Sequence, residues 1–332
     1  MKKRLGILVV AAILLSGMLS GCSNGNAEIE IDLNTVGRNE VFSINGSACT
    51  KEEARLYLYN YQNLLGYEYG IDLWQHDYGD IAEEDTLEAY VKDVTLAELA
   101  NVMCMNQLAE TREITLTQDE ENKVFEAADE YYESLTKEER RAIGLDKSEL
   151  KDIYEKYAIA QKLYATLTQG VNEEVSDDEA RVVLIQQIYV RDKETANRVR
   201  QKLNKGEDFA SVASNYNEAS AIEIHLARGT YSEKVDKVVF HMENNEQSGM
   251  IETEEGFYFF KCLNKYVVDM TEANKENIIV QRRKEQFDDV FRQFVEESDF
   301  DLNERVWENI KVDFSGEIKT DSFFEIYVKH FK

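Results

Sequence analysis

One stretch restricts this chain more than any other, because its hydrophobic period changes along it. From Val182 through Ile185, Ile188, Tyr189 and Val190 the residues form an apolar run that reads as a strand. Ala196, Val199 and Leu203 then recur at helical spacing, and Gly206-Glu207-Asp208-Phe209-Ala210-Ser211-Val212-Ala213 opens a second helix-period segment. The stretch closes at Glu246-Gln247-Ser248-Gly249-Met250-Ile251 and Gly256-Phe257-Tyr258-Phe259-Phe260-Lys261-Cys262, which read as a turn and a last strand before Tyr266. It is a single α/β module, and the sequence on both sides of it is helical.

Ahead of the module, Val41-Phe42-Ser43-Ile44 is a strand signal that runs into an Asn45-Gly46 turn. Thr50 with Glu53 has capping-box spacing and starts a helix through Ala54, Leu58, Tyr61 and Leu65, followed by a loop holding Trp74 and His76. His76 has no Cys, second His or acidic pair at ligand spacing, so no metal site is read there. Residues Thr86 to Arg112 carry a long helical pattern, and Thr117 with Glu120, Thr136 with Glu139, Asp146, and Ser176 with Glu179 mark further helix starts. Beyond Tyr266, Phe287, Val290, Phe291, Phe294 and Val295 lie on one helical face. The segments from Val306 to Val312 and from Phe323 to Val328 are expected to be short strands, with Phe323-Phe324 in the core.

The first residues follow a secretory pattern: Met1-Lys2-Lys3-Arg4, an apolar run from Ile7 to Leu15, and Leu19-Ser20-Gly21-Cys22. That ending looks like a bacterial lipobox, which implies cleavage before Cys22 and lipid on its sulfur. Later in the chain no run reaches the ~18 apolar residues that crossing a membrane needs. Removing Lys2, Lys3 and Arg4 with the signal takes the formal charge from −27 to −30. So acidic a chain argues against nucleic-acid binding, which draws its affinity from Lys and Arg at phosphates. Cys49, Cys104 and Cys262 lack metal spacing and read as small core residues, with at most one pair available for a disulfide. The absence of proline from all 332 residues removes slow X-Pro steps from folding.

The order within Val182–Tyr266 resembles the parvulin family of peptidyl-prolyl isomerases: a strand ending His-Ile-Leu-Val, a helix, a G-x-D-F-x-x-x-A turn and helix, and a G-x-H-I-I strand. Around it, the Asn-Gly strand end, Glu113-Ile114-Thr115-Leu116-Thr117, Val175-Ser176-Asp177-Asp178-Glu179 and the lipobox together are similar to the PrsA/SurA type of extracytoplasmic foldase. The resemblance implies an α+β fold. A mainly helical chaperone domain, formed from N- and C-terminal segments, would carry an inserted parvulin-like α/β domain. The expected divisions are 1–21 lipoprotein signal, 22–40 tether and first strand, 41–180 helical domain, 181–267 parvulin-like domain, and 268–332 C-terminal helix and strands.

Matching the motifs places the family's two histidines at Gln187 and Tyr258, so a titrating imidazole pair is gone although both side chains still form hydrogen bonds. The loop from Glu218 to Leu226 is shorter than the family's and lacks its double glycine, and His225 reads as a sheet residue. Tyr231, Val235, Phe240 and Met242 fall near the family's proline pocket, where an ordinary core role is equally open. Asn245 stands where the family has glycine and tolerates positive φ.

The implied function is that of a lipid-anchored extracytoplasmic foldase or chaperone for unfolded exported proteins, with a weak or inactive isomerase domain. No cofactor is expected, since no Gly-rich phosphate loop appears. An active isomerase and a solute-binding lipoprotein of a transporter are the alternatives. The oligomeric state stays open, a homodimer included.

Overall fold

The computed structural model describes residues 36–69 and 86–332. The signal segment, Cys22, the tether before residue 36, and Trp74 and His76 lie outside the described residues.

The chain falls into two compact units. One comprises the described residues up to Gln169 together with Lys284–Lys332, the other Gly170–Arg283. In the first, β1 (Glu40–Ile44) and β2 (Ser47–Thr50) form a hairpin, and β7 (Phe300–Leu302) pairs antiparallel with the other edge of β1. Asn45 and Gly46, at φ 49° and 82°, make the tight turn that their residue types allow. The helices are α1 (Lys51–Tyr69), α2 (Leu87–Thr111), α3 (Gln118–Ser134), α4 (Lys137–Ile143) and α5 (Lys147–Leu167). Thr117, Thr136 and Asp146 close reciprocal capping boxes with Glu120, Glu139 and Glu149, satisfying first-turn N–H groups that would otherwise lack partners.

The C-terminal segment differs from the strands expected of it. Residues Glu304–Asn309 form a short helix, α11, capped by the Asn303 side chain, and Phe323–Phe331 form α12. A short apolar run does not by itself separate a strand from a buried helix. Here the buried positions Phe323, Phe324, Ile326 and Tyr327 follow a helical face. Phe323 is fully buried, and its ring lies 4.3 Å from Tyr154, 5.4 Å from Tyr57 and 5.6 Å from Tyr131. Cys49 and Cys104 are buried free thiols in this core, as Cys262 is in the second unit.

The second unit is a four-stranded antiparallel sheet in the order β4 (Glu223–Ala227), β3 (Val182–Val190), β6 (Phe257–Asn264), β5 (Ile251–Glu252). The period of two along β3 and β6 assigns their side chains to two separate cores. Ile188, Val190, Phe257 and Phe259 pack with α7 (Lys193–Asn204) and α8 (Phe209–Tyr216). Val183, Ile185, Tyr258, Phe260 and Cys262 face α9 (Glu233–Val239). The short helix α6 (Asp177–Ala180) precedes β3, and α10 (Val268–Glu296) follows β6 and carries the chain back into the first unit. Asn245 holds φ 69° in the turn before β5, which keeps that turn intact without glycine.

Candidate functional site

Gln187 sits in the middle of β3, only 3% exposed, on the face shared with Tyr189, Tyr258 and Phe260. Across the strands Gln187 stands opposite Phe260 and Tyr189 opposite Tyr258, so Gln187 and Tyr258 are diagonal neighbours. They share no hydrogen bond. The Gln187 amide instead donates to the Ala221 carbonyl at 3.0 Å, and its oxygen accepts from the Tyr231 hydroxyl at 2.7 Å. Tyr258 donates to Glu255 Oε2 at 3.0 Å, while Tyr189 donates to the Glu255 carbonyl at 2.7 Å.

The rings of these residues form one aromatic cluster. Tyr258 lies 4.8 Å from Tyr189, 5.3 Å from Tyr231 and 5.8 Å from Phe260, with which it is nearly parallel. Gly256 makes this packing attainable: at φ 151°, a Cβ there would meet the Val190 carbonyl at 2.7 Å and the Tyr189 ring at 2.8 Å.

A cleft of about 850 Å³ opens beside the cluster, with Tyr231, Val235 and Tyr258 as its aromatic and aliphatic wall and Glu252, Glu254 and Glu255 among its acidic lining. Tyr231 and Val235 thus both border this cleft, Val235 from a fully buried position. Phe240 and Met242 do not line it; they are buried in the core. The Arg228 guanidinium covers the Phe240 ring at 4.4 Å and is held by Asp178 in two contacts of 2.9 and 3.0 Å. His225 is exposed on β4 opposite Leu184. Glu218 accepts from the Arg191 backbone at 3.2 Å and stands outside the cleft wall.

Neither tyrosine offers a proton near neutrality. Burial first, then the hydrogen bond and charge of Glu255, push the Tyr258 phenol up. Burial likewise raises Tyr231, partly offset by its bond to Gln187. Both phenols therefore stay protonated and neutral at physiological pH. Among the described residues no cluster of His, Cys, Asp and Glu is arranged to hold a metal.

Residues 172–273 match the profile of the PPIC-type PPIASE domain. This segment is a PPIC-type domain. The chain that carries it is homologous to PrsA foldases. It is 24% identical over 273 residues to the foldase protein PrsA of Clostridium acetobutylicum, covering 71% of this chain and 81% of that one. It is also 24% identical to the PrsA of Caldanaerobacter subterraneus subsp. tengcongensis, covering 76% and 80%. A crystal structure of the PrsA peptidylprolyl isomerase from Bacillus anthracis superposes with a TM-score of 0.39 at 15% identity, over 66% of this chain and 99% of that one.

Of the positions singled out in the sequence, Gln187, Tyr258, Tyr231 and Val235 meet at this cluster and cleft. Tyr189 and Glu255, which the sequence did not single out, join them. The alternation of β3 carries a signal for Tyr189, which lies two residues from Gln187 and so on the same face. Nothing local marks Glu255 as the acceptor of two phenols, since its role arises from the turn into β6.

Proposed function

We propose that this chain is an extracytoplasmic foldase, anchored by lipid on Cys22, that holds unfolded exported polypeptides and whose PPIC-type domain contributes binding with little isomerase activity. The homology to PrsA foldases supports the foldase reading, and binding of client polypeptides follows from it. The proposed organisation is a helical domain built from both ends of the chain with the PPIC-type domain inserted.

One observation carries the reading of weak catalysis. The hydroxyl donors of Tyr231, Tyr258 and Tyr189 and one N–H of the Gln187 amide are already committed to partners inside the protein. Cis/trans rotation has a barrier of about 18–20 kcal/mol, and acceleration requires interactions that become stronger in the twisted amide than in the planar one. A wall whose donors are engaged elsewhere binds planar and twisted forms alike, which holds a chain without speeding its rotation. A solute-binding lipoprotein would need two α/β lobes, whereas the described residues form one sheet-centred unit and one helical unit.

The test pairs two measurements on the same protein. In a protease-coupled proline-peptide assay the chain is expected to leave the rate close to the uncatalysed one, while at stoichiometric amounts it suppresses aggregation of an unfolded exported protein. Turnover comparable to an intact parvulin would overturn the holding-only reading. Failure to suppress aggregation in excess would remove the chaperone reading.

A further inference from the structure

The formal charge of −27 makes cations scarce, and many are neutralised locally, as Lys147 is by Asp129 and Glu133 and Lys156 by Glu53. One area of the helical unit departs from that pattern. Two adjoining clefts, of about 580 and 420 Å³, share Arg55, Asn309 and Ile310 in their walls. The first is also lined by Arg38, Lys51 and Arg305, the second by Arg141 and Lys311.

These six arginines and lysines come from separate parts of the chain. Arg38 precedes β1, Lys51 and Arg55 are four residues apart on α1, Arg141 is on α4, Arg305 is on α11, and Lys311 follows that helix. Arg55 lines both clefts and so joins them to one another. Arg38, Arg141, Arg305 and Lys311 are exposed, and among the described residues neither they nor Arg55 forms an ion pair. Lys51 reaches Glu52 at 3.7 Å, and Asp313 is the carboxylate among the described residues that line the two clefts. The nearby Lys92 ammonium is pushed down by burial first and by the charge of Lys311 second.

Unpaired cations held together by a fold repel one another, and phosphate groups relieve that repulsion through charge-assisted hydrogen bonds to guanidinium. We infer that this basic area is the surface by which the tethered protein lies against the phosphate headgroups of an anionic membrane. The inference rests on the lipid anchor proposed above. Arg38 lies 16 residues after Cys22, the difference of their numbers, so the connecting chain spans at most about 55 Å. Tethering at that reach keeps the area at high local concentration beside the bilayer. The acidity of the rest of the molecule is screened beyond about 8–10 Å, so the charges nearest the headgroups decide the contact.

The test uses the chain from residue 22 onward with Cys22→Ser, so that all described residues are kept and no lipid contributes. Co-sedimentation with vesicles of phosphatidylglycerol in phosphatidylcholine is expected to show salt-sensitive binding, with none to phosphatidylcholine alone. Arg305→Glu and Lys311→Glu should each lower the partition at least about fivefold, while Lys205→Glu, exposed on the other unit, leaves it unchanged. Thermal unfolding of each variant shows that the fold is kept.

Absence of binding to phosphatidylglycerol vesicles, or an equal loss in Lys205→Glu, overturns the inference. So does binding of inorganic polyphosphate through Arg305 and Lys311 without vesicle binding, which assigns the clefts to a soluble anion. Labelling of the intact chain at Cys22 with radioactive fatty acid tests the anchor separately. An unlabelled chain that still binds vesicles defeats only the anchor, and a labelled chain whose Cys22→Ser form ignores vesicles defeats only this surface.

Discussion

Single residues decide what this molecule can do chemically, and Glu98 shows it as clearly as Gln187 does. Glu98 lies on α2, 2% exposed, and burial raises its carboxyl from 4.5 to about 8. Burial first, and after it the charge Glu98 carries when ionised, push up the phenols of Tyr57 and Tyr61 of α1 and Tyr157 of α5, and among the described residues the hydroxyls of Tyr57 and Tyr61 are buried without a partner. Between pH 4.5 and about 8 the folded chain holds a proton on Glu98 that the unfolded chain has released. Its stabilising contribution is therefore complete below the unfolded value and is lost as pH rises through the folded one, at up to about 1.4 kcal/mol per pH unit. Urea unfolding of the wild type and Glu98→Gln near both ends of that window is expected to show the variant gaining relative stability as pH rises. A wild-type-to-variant difference that is the same at both ends would refute the assignment. At Gln187 and Tyr258 the residue types were legible from motif spacing. Their partners were not, because Tyr231 lies 44 residues from Gln187 and Glu255 acts through a turn.

Secondary-structure elements were most legible where a polar residue announces the start of a helix. Thr117, Thr136, Asp146 and Ser176 all accept a first-turn N–H as their spacing predicts. The C-terminal elements were misread because their apolar runs are short and their form is set by what covers them. Phe323 shows the consequence: α12 is helical so that Phe323 enters a cage of Tyr57, Tyr131 and Tyr154, three rings drawn from three different helices. Truncation to alanine leaves a cavity among rigid rings that cannot collapse to fill it. Phe323→Ala is expected to cost about 3–5 kcal/mol of stability in chemical denaturation. An unchanged denaturation midpoint would show that α12 does not anchor this core.

At the scale of the whole molecule, the chain leaves one unit at Gln169 and returns to it at Lys284. The cores respect that division: one cluster gathers residues up to Leu163 with Phe287 and beyond, and the sheet-centred unit has two of its own on either face of β3 and β6. A unit with its own buried cores is expected to fold without the rest. Residues 170–283 expressed alone should unfold cooperatively on heating, with the dispersed amide NMR spectrum of a packed sheet. A fragment that remains unfolded would mean that the sheet depends on the flanking helices. Among the described residues no helix is long and apolar enough to cross a membrane, so membrane attachment in the proposed function rests on Cys22 and on the basic clefts.

Much of this protein was determined by sequence alone, because caps, turns and hydrophobic period act over a few residues. They established a single α/β module within helical sequence, the Asn45-Gly46 hairpin, and the tolerance of Asn245 for positive φ. Tertiary structure alone decided which donors in the cleft are spent, that Arg228 covers Phe240, that the last segments are helices, and that five unpaired cations meet on one surface. Each of these depends on groups far apart in the chain meeting in space, where the energy of a hydrogen bond or a charge is set by its neighbours and its burial.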